Sequence, residues 1–476
     1  MQSRQRQQFR PAFRSLLSIE ALEQRAMMAG NITAAVTKGT LVIKGDANAN
    51  EIIIGQGATA GSIKLTAVTG TTINSGTVDV TLSGITKLDI RMLGGNDKVG
   101  IANDVDYVND LFAAIATYPE GDAEEDNGLF DWLSGDDEEE FDIDDPNFTL
   151  QQLAQLPTRV NSNTFIDLGE GDDTLVMTMR SNGNIQVEGG AGNDLILSML
   201  SSATHLLINT DPRRGTAMGD DLAAVVLNTV RGDLAITTGA LDDGVVVLGT
   251  TVGNLGVGTG GVLTGQMTDN DFVMFAGVSA ADHVGILTEA GDDGVLVSGI
   301  TADNFRISTG SGDDQVEVQG ASLVALAIDT AAGEDWVSLN SGEDGTLPFV
   351  VRRNLQIYTG SDNDEVEIDG GLMNLLVGNL LDIRTGQGDD SVTLFRVVAK
   401  NAHLDGDAGN DEFILDSMDV REVLNVAMGA GNDMLSIRNL NAKKAQITGG
   451  TGNDLLADLG DHDVIFAPKQ FEGTPG

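Results

Sequence analysis

Gly-Ser-Gly-Asp-Asp-Gln-Val-Glu-Val, residues 310–318, is the stretch that decides the fold of this chain. It joins a glycine-rich acidic turn to an alternating strand, and variants of it recur along the sequence. The last aspartates of these turns form a series, here called the aspartate ladder, whose steps are mostly 21 or 22 residues. The ladder consists of Asp97, Asp173, Asp194, Asp221, Asp243, Asp271, Asp293, Asp314, Asp335, Asp364, Asp390, Asp411, Asp433 and Asp454. A period of this length predicts a repeat architecture.

Each repeat has the apolar pattern of a short strand. The second and fourth residues after the ladder aspartate are apolar in nearly every repeat, as at Val316 and Val318. This period of two places one face of a strand in a core, and a second strand precedes the next turn, as in residues 304–309. Stacked copies bury a continuous core that one repeat lacks. We therefore predict an all-β fold, a single-stranded right-handed parallel β-helix (solenoid) of about 21–22 residues per coil.

Two further observations bear on this prediction. A βαβ fold is the alternative arrangement for parallel strands, but repeats this short and without a helical period leave no room for crossover helices. Glu51 lies 46 residues before Asp97, a distance of about two coils, and is interpreted as marking a degenerate first turn.

The stacked aspartates predict a bound cation. Carboxylates about 5 Å apart repel one another by about 3 kcal/mol per pair at an effective dielectric constant of about 20. Ca²⁺ suits this position because it binds carboxylate and backbone carbonyl oxygens. Glycine stands two residues before the aspartate in 11 of 14 turns, the exceptions being Leu241, Asp269 and Asp362. The alternative is that Gly-Asx-Asp only makes favourable turns. The predicted calcium ligands are Asp173, Asp194, Asp221, Asp293, Asp314, Asp335, Asp390, Asp411, Asp433 and Asp454.

These turns resemble the RTX, or haemolysin-type, calcium-binding repeats. The shared nonapeptide is Gly-Gly-x-Gly-x-Asp-x-(apolar)-x, and it covers the turn and first strand of each repeat. In that family the nonapeptide occurs in tandem, whereas here it occurs once per repeat, which is more similar to extracellular repeat adhesins with one calcium loop per coil. The resemblance implies a secreted calcium-binding protein with ions between neighbouring turns.

The chain is predicted to have five segments: a targeting or tail segment at 1–30, first coils at 31–103, a partly disordered acidic insertion at 104–160, the main β-helix at 161–463 and a C-terminal tail or cap at 464–476. Residues 22–28, Leu-Glu-Gln-Arg-Ala-Met-Met, resemble the Leu-Glu-Pro-Arg-x-Leu-Leu segment of large surface proteins of planctomycete bacteria. That resemblance implies a bacterial protein that is secreted or at the cell surface. A disordered basic tail is the alternative, because no ordinary secretory signal follows the basic start.

The acidic insertion and an apolar stripe are expected to belong together. Residues 120–145 hold 14 acids, yet Leu-Phe-Ala-Ala-Ile at 111–115 and Leu-Phe-Asp-Trp-Leu at 129–133 require burial. The third residue after the ladder aspartate points outward and is apolar over six repeats. This apolar stripe consists of Val176, Leu197, Ala224, Val246, Met274 and Leu296. Because soluble monomers rarely expose such a surface, we expect the insertion or a second chain to cover it.

Composition excludes some classes of function. The 72 acidic residues against 27 basic ones give a net charge of −45, which would repel nucleic acid. No apolar run reaches the roughly 18 residues that a membrane span requires. A structural or adhesive calcium-binding β-helix at the cell surface fits the sequence best, with an extracellular polysaccharide or protein as its partner.

Two other functions stay open at this point. β-Helices also host polysaccharide lyases and hydrolases, but His205, His283, His403 and His462 are scattered, and no catalytic spacing is found. An ice- or surface-binding module would require one threonine per coil at an outward position, and the residue between the turn glycines varies instead.

Overall fold

The structure is a computed structural model that describes residues 30–68, 70–76, 79–117, 157–211, 219–260, 269–342, 345, 347–459 and 463–466. The chain divides into two compact units, the first formed by residues 1–252 and 261–263, the second by residues 253–260 and 264–476. Three segments predicted from the sequence lie largely outside the described residues. Residues 1–29 of the segment 1–30, residues 118–156 of the insertion 104–160 and residues 467–476 of the tail 464–476 are not described.

Strands account for most of the described residues of the first unit. They are β1 (Asn31–Thr37), β2 (Thr40–Lys44), β3 (Glu51–Gln56), β4 (Ser62–Ala67), β5 (Thr72–Ile73), β6 (Asp79–Ser83), β7 (Lys87–Arg91), β8 (Lys98–Ile101), β9 (Thr158–Val160), β10 (Thr164–Glu170), β11 (Thr174–Met177), β12 (Met179–Ser181), β13 (Ile185–Ala191), β14 (Leu195–Met199), β15 (Ser202–Ala203), β16 (Leu206–Asn209), β17 (Leu222–Val226), β18 (Thr229–Thr237) and β19 (Gly244–Leu248). Helix α1 (Val105–Thr117) follows β8 and is the helix among the described residues of this unit.

The described residues of the second unit contain strands and no helix. The strands are β20 (Thr251–Gly258), which begins two residues before the unit, β21 (Phe272–Ala276), β22 (Ser279–Ala280), β23 (His283–Leu287), β24 (Gly294–Ser308), β25 (Gln315–Asp329), β26 (Trp336–Asn340), β27 (Phe349–Val351), β28 (Asn354–Ser361), β29 (Glu365–Asp369), β30 (Leu375–Gln387), β31 (Ser391–Phe395), β32 (Val397–Asp405), β33 (Glu412–Asp416), β34 (Asp419–Ala427), β35 (Met434–Arg438), β36 (Asn441–Thr448), β37 (Leu455–Asp458) and β38 (Asp463–Phe466).

Parallel pairing follows the period of the sequence. In the first unit, Thr164 of β10 lies opposite Ile185 of β13. In the second, Gly294 of β24 lies opposite Gln315 of β25, again one repeat of 21 residues further on. The prediction of an all-β protein with mainly parallel strands is therefore confirmed. Repeats also contain a short middle strand, such as β22 against Thr301 of β24, so the prediction of two strands per repeat was incomplete.

The N-terminal part departs from parallel pairing. β1 pairs with β2, β3 with β4, and β4 with β6, all antiparallel. Glycines with positive φ, which such reversals favour, lie in these connections: Gly39 between β1 and β2, Gly61 between β3 and β4, and Gly70 between β4 and β6. β3 also pairs in parallel with β8, placing Glu51 opposite Lys98. The interpretation of Glu51 as lying two coils before Asp97 was therefore wrong. β3 and β8 are neighbouring parallel strands, and the residues between them form the hairpins instead of a second coil.

The core consists of the apolar positions that the sequence predicts. Val316 and Val318 are fully buried, as are Val337 and Leu339 one repeat later. Phe305 is among the largest buried side chains and belongs to the strand stretch before a turn. Both strand stretches of a repeat thus contribute to one interior.

Helix α1 covers part of the apolar stripe in the first unit. Asp104 caps it, since its Oδ1 accepts hydrogen bonds from the amides of Asp106 (3.1 Å) and Tyr107 (3.2 Å). The helix buries Tyr107, Val108, Leu111 and Phe112 in one cluster with the stripe residues Val176, Leu197, Ala224 and Val246. The expectation that the insertion covers the stripe is confirmed for these four positions. In the second unit, Met274 and Leu296 are half-buried.

A candidate metal centre at the aspartate ladder

The turns carry the backbone conformation that their glycines predict. Gly310 and Gly312 have φ of 108° and 132°. A Cβ on Gly312 would collide with the carbonyl oxygen of Gly291 in the preceding turn, so this position also requires the absence of a side chain. Leu241 and Asp362 replace glycine and still have φ of 94° and 81°. The positive φ of the turn is therefore kept even at two positions where the residue disfavours it.

Ladder carboxylates bond along the stack. In each pair, Oδ1 of one aspartate accepts the backbone N–H of the ladder aspartate one repeat earlier. In the first unit these bonds run from the amide of Asp97 to Asp173 (2.6 Å), Asp173 to Asp194 (3.0 Å), Asp194 to Asp221 (2.7 Å) and Asp221 to Asp243 (2.8 Å). In the second unit they run from Asp271 to Asp293, Asp293 to Asp314, Asp314 to Asp335, Asp335 to Asp364, Asp364 to Asp390, Asp390 to Asp411, Asp411 to Asp433 and Asp433 to Asp454, at 2.8–3.3 Å.

A second, outer series of bonds runs the opposite way. The Asn or Asp directly before each ladder aspartate accepts the N–H of its counterpart one repeat later, as in Asp313 to Asp292 (2.9 Å) and Asn410 to Asp389 (2.7 Å). Glu334 breaks this series in the described part, since its longer side chain instead accepts from Nδ2 of Asn363. Neighbouring turns are thus joined by two opposed side-chain bonds, the inner one buried and the outer one exposed.

Burial perturbs the inner carboxyls strongly. All ten predicted ligands are at most 4% exposed. Desolvation raises the pKa of Asp221 and Asp314 to about 8 and that of Asp173 and Asp411 to about 7, and the hydrogen bond from the neighbouring backbone amide only partly offsets it. Burial also raises the pKa of Asp194 well above its ordinary value.

Some ladder carboxyls have a threonine partner. In the second unit, several buried threonines stand five residues before a ladder aspartate and are here called the threonine column. They are Thr288, Thr309, Thr330, Thr359 and Thr385. Oγ1 of Thr288 donates to Oδ2 of Asp293 at 2.5 Å. The hydroxyls of the other four members lower the pKa of Asp314, Asp335, Asp364 and Asp390, against the larger effect of burial. Oδ2 of these four aspartates nevertheless lacks a hydrogen bond of ordinary geometry in the described structure.

Other ladder carboxyls have no such partner. Leu168, Gly189, Gly406 and Met428 stand five residues before Asp173, Asp194, Asp411 and Asp433 respectively, and none carries a hydroxyl. Oδ2 of each of these four aspartates is buried without a hydrogen-bond partner in the described structure. A buried carboxylate oxygen in this state is either protonated or bound to a cation.

The residues present fit Ca²⁺ in their chemistry. A typical turn supplies one inner carboxyl, one outer Asn or Asp and the carbonyls of its glycines, all of them oxygen ligands of the kind that Ca²⁺ binds. Within the described ranges, no group of three His, Cys, Asp or Glu side chains is placed to hold a cation by side chains alone. Backbone carbonyls would therefore supply the remaining ligands.

The structure also shows what the sequence analysis missed. Asp97 and Asp364 carry the same inner hydrogen bond but were not among the predicted ligands. Gly95, two residues before Asp97, matches the turn motif, so the sequence could have placed Asp97 among the predicted ligands. The inward direction of the carboxyls and the role of the threonine column had no signal in the turn motif itself.

Comparisons of the chain with protein-family models, with curated proteins and with solved structures found no match. The resemblance to RTX repeats therefore rests on the turn motif alone. Among the described residues, no helix is long and apolar enough to cross a membrane.

Proposed function

We propose that this chain is a secreted or cell-surface bacterial protein whose repeats form a right-handed parallel β-helix within each unit and bind Ca²⁺ at the aspartate ladder. Its role is structural or adhesive. The observation that carries the proposal is the set of buried Oδ2 atoms without a partner, at Asp173, Asp194, Asp411 and Asp433. Parallel pairing at a step of one repeat supports the β-helix.

Calcium would stabilise the fold by replacing protons. Ladder aspartates and turn carbonyls would hold the ion, which supplies positive charge to carboxyls that burial otherwise keeps from ionising. Because the ligands come together only in the folded chain, ion binding adds to folding stability by mass action. Extracellular calcium would then set the stability of the repeat array.

Asp411→Asn tests this assignment directly. Asparagine keeps the Oδ1 acceptor for the amide of Asp390, so the fold without calcium is expected to persist. Equilibrium dialysis with ⁴⁵Ca²⁺ should show fewer bound ions than in the wild-type chain, by about one or two because an ion lies between neighbouring turns. The matched control is Asp416→Asn, which changes a half-buried aspartate on β33, outside the ladder. Equal stoichiometry for all three proteins, or no bound calcium in the wild type, would refute the proposal.

A further inference from the structure

The tetrapeptide Leu-Asp-Ile-Arg occurs twice, at 88–91 and 381–384. Each copy lies in the strand before a ladder turn, and each places its aspartate eight residues before a ladder aspartate, at Asp89 before Asp97 and at Asp382 before Asp390. One copy belongs to each unit. Asp89 is half-buried and both arginines are exposed, while Asp382 is buried. An apolar core requires none of these four charged residues, so their repetition at one register position requires another explanation.

Both copies build the same chemical arrangement. In the first unit, Arg91 binds Asp89 through two hydrogen bonds (2.9 and 3.3 Å) and lies 5.5 Å from the ring centre of Phe165 on the next parallel strand. In the second unit, Arg384 binds Asp382 through two bonds of 3.2 Å and lies 5.4 Å from the ring centre of Tyr358. A guanidinium is thus held between a carboxylate and an aromatic face in both places.

Around the first copy the surface is concave. A groove of about 380 Å³ runs across β2, β7, β10 and β13, and its lining includes Lys87, Asp89, Arg91, Asn163, Phe165 and Gln186. The lining combines one aromatic ring with planar amide, carboxylate and guanidinium groups. Such groups make paired hydrogen bonds to neighbouring hydroxyls, while the ring packs against the C–H face of a sugar.

The charges around the groove select against a polyanion. Three basic residues in and beside it, Lys44, Lys87 and Arg91, are balanced by three acids, Asp89, Asp167 and Glu188. The register places Lys44 and Asp167 opposite Arg91 on its two neighbouring strands, and Glu188 opposite Asp167. Phosphate, sulfate or uronate chains would meet these acids on a protein of net charge −45. An apolar peptide would leave the polar lining unpaired. A neutral, hydroxyl-rich ligand satisfies both conditions.

We propose that this groove of the first unit binds a neutral saccharide chain through Phe165, Gln186 and the Asp89–Arg91 pair. The cluster of Gln356, Tyr358, Asp382 and Arg384 offers a second contact of the same chemistry in the second unit. Its internal bonds, from Gln356 to the Tyr358 hydroxyl (2.8 Å) and from that hydroxyl to Asp382 (3.0 Å), hold these groups in place. The inference supplies the partner class for an adhesive role and does not depend on calcium binding.

Affinity electrophoresis of the full chain tests the inference. Native gels would contain one soluble polysaccharide each, with dextran, laminarin, galactomannan and xyloglucan as neutral probes and polygalacturonate and heparin as anionic ones. At least one neutral polysaccharide should retard the wild-type chain. Phe165→Ala and Arg91→Lys should each weaken this retardation by about tenfold or more, since lysine keeps the charge but loses the paired hydrogen bonds.

The matched control is Phe395→Ala, which removes a ring that also stacks on an arginine, 4.8 Å from Arg396, outside the groove. It should bind like the wild type. No retardation by any neutral probe, retardation by anionic probes alone, or equal loss in Phe165→Ala and Phe395→Ala would overturn the inference. Running the gels in EDTA and in calcium distinguishes saccharide binding by the groove from calcium binding by the ladder. If the ladder does not bind calcium, the groove should still retard the chain in both conditions.

Discussion

At the scale of single residues, the ladder is a compromise between hydrogen bonding and desolvation. Asp314 satisfies one carboxyl oxygen with the amide of Asp293, yet burial raises its pKa to about 8. Its sequence context, Gly-Asp-Asp, correctly predicted a turn, and the assignment of Asp314 as a calcium ligand stays a prediction. The motif could not show whether the Asp314 side chain points into the protein or toward solvent, because it suits an exposed carboxylate as well as a buried one.

Replacing Leu241 by glycine should stabilise the protein. Leu241 has φ of 94°, a conformation that costs non-glycine residues about 1–2 kcal/mol. We expect Leu241→Gly to raise the free energy of unfolding by about 1 kcal/mol, measured by equilibrium urea denaturation. The control is Leu376→Gly in β30, outside the positive-φ positions, where glycine should destabilise. A loss of stability in Leu241→Gly equal to that of the control would contradict the turn argument.

Removing a threonine hydroxyl should expose the cost of an unpaired carboxyl. Thr288→Val keeps the shape but deletes the 2.5 Å hydrogen bond to Asp293. The buried oxygen then lacks this donor, which costs about 1–3 kcal/mol. Urea denaturation at neutral pH in EDTA should register the loss, whereas Thr301→Val, at an exposed position of β24, should cost little. Equal stabilities for the two variants would mean that the threonine column does not support the ladder.

At the scale of elements, α1 shows where sequence reasoning stopped. The spacing of Tyr107, Val108, Leu111 and Phe112 is that of a helix with one apolar face, and it was readable in the sequence. The acid-rich residues that follow dominated the interpretation of the segment as partly disordered. The parallel register was predictable because steps of 21 residues align Val295 with Val316, whereas the hairpins of β1–β6 have no such period.

Truncating Phe112 should loosen the helix from the stripe. Phe112 is 4% exposed and packs in the cluster with Val176 and Leu197. Phe112→Ala should cost about 3–5 kcal/mol in unfolding free energy and increase binding of a hydrophobic dye. Asp110→Ala, on the exposed side of the same helix, is the control and should change stability little. If both variants bind dye like the wild type, the helix does not shield the stripe.

At the scale of the whole chain, the net charge of −45 counts every carboxyl as ionised. Burial holds many ladder carboxyls partly neutral, and calcium would compete with protons for them. Their pKa values are raised on folding, so the folded chain binds more protons than the unfolded chain between about pH 4 and pH 8. Without calcium, stability should therefore be fullest at low pH and decline as pH rises through this range.

The most direct measurement is the midpoint of thermal unfolding, Tm, from pH 5 to pH 8 in EDTA and in millimolar Ca²⁺. In EDTA, Tm should fall as pH rises, because buried carboxyls lose their protons. In calcium Tm should be higher, and the difference between the two curves should widen toward pH 8, since the ion binds the deprotonated form. Superimposable curves in EDTA and calcium across this range would contradict the claim that the aspartate ladder is a calcium site.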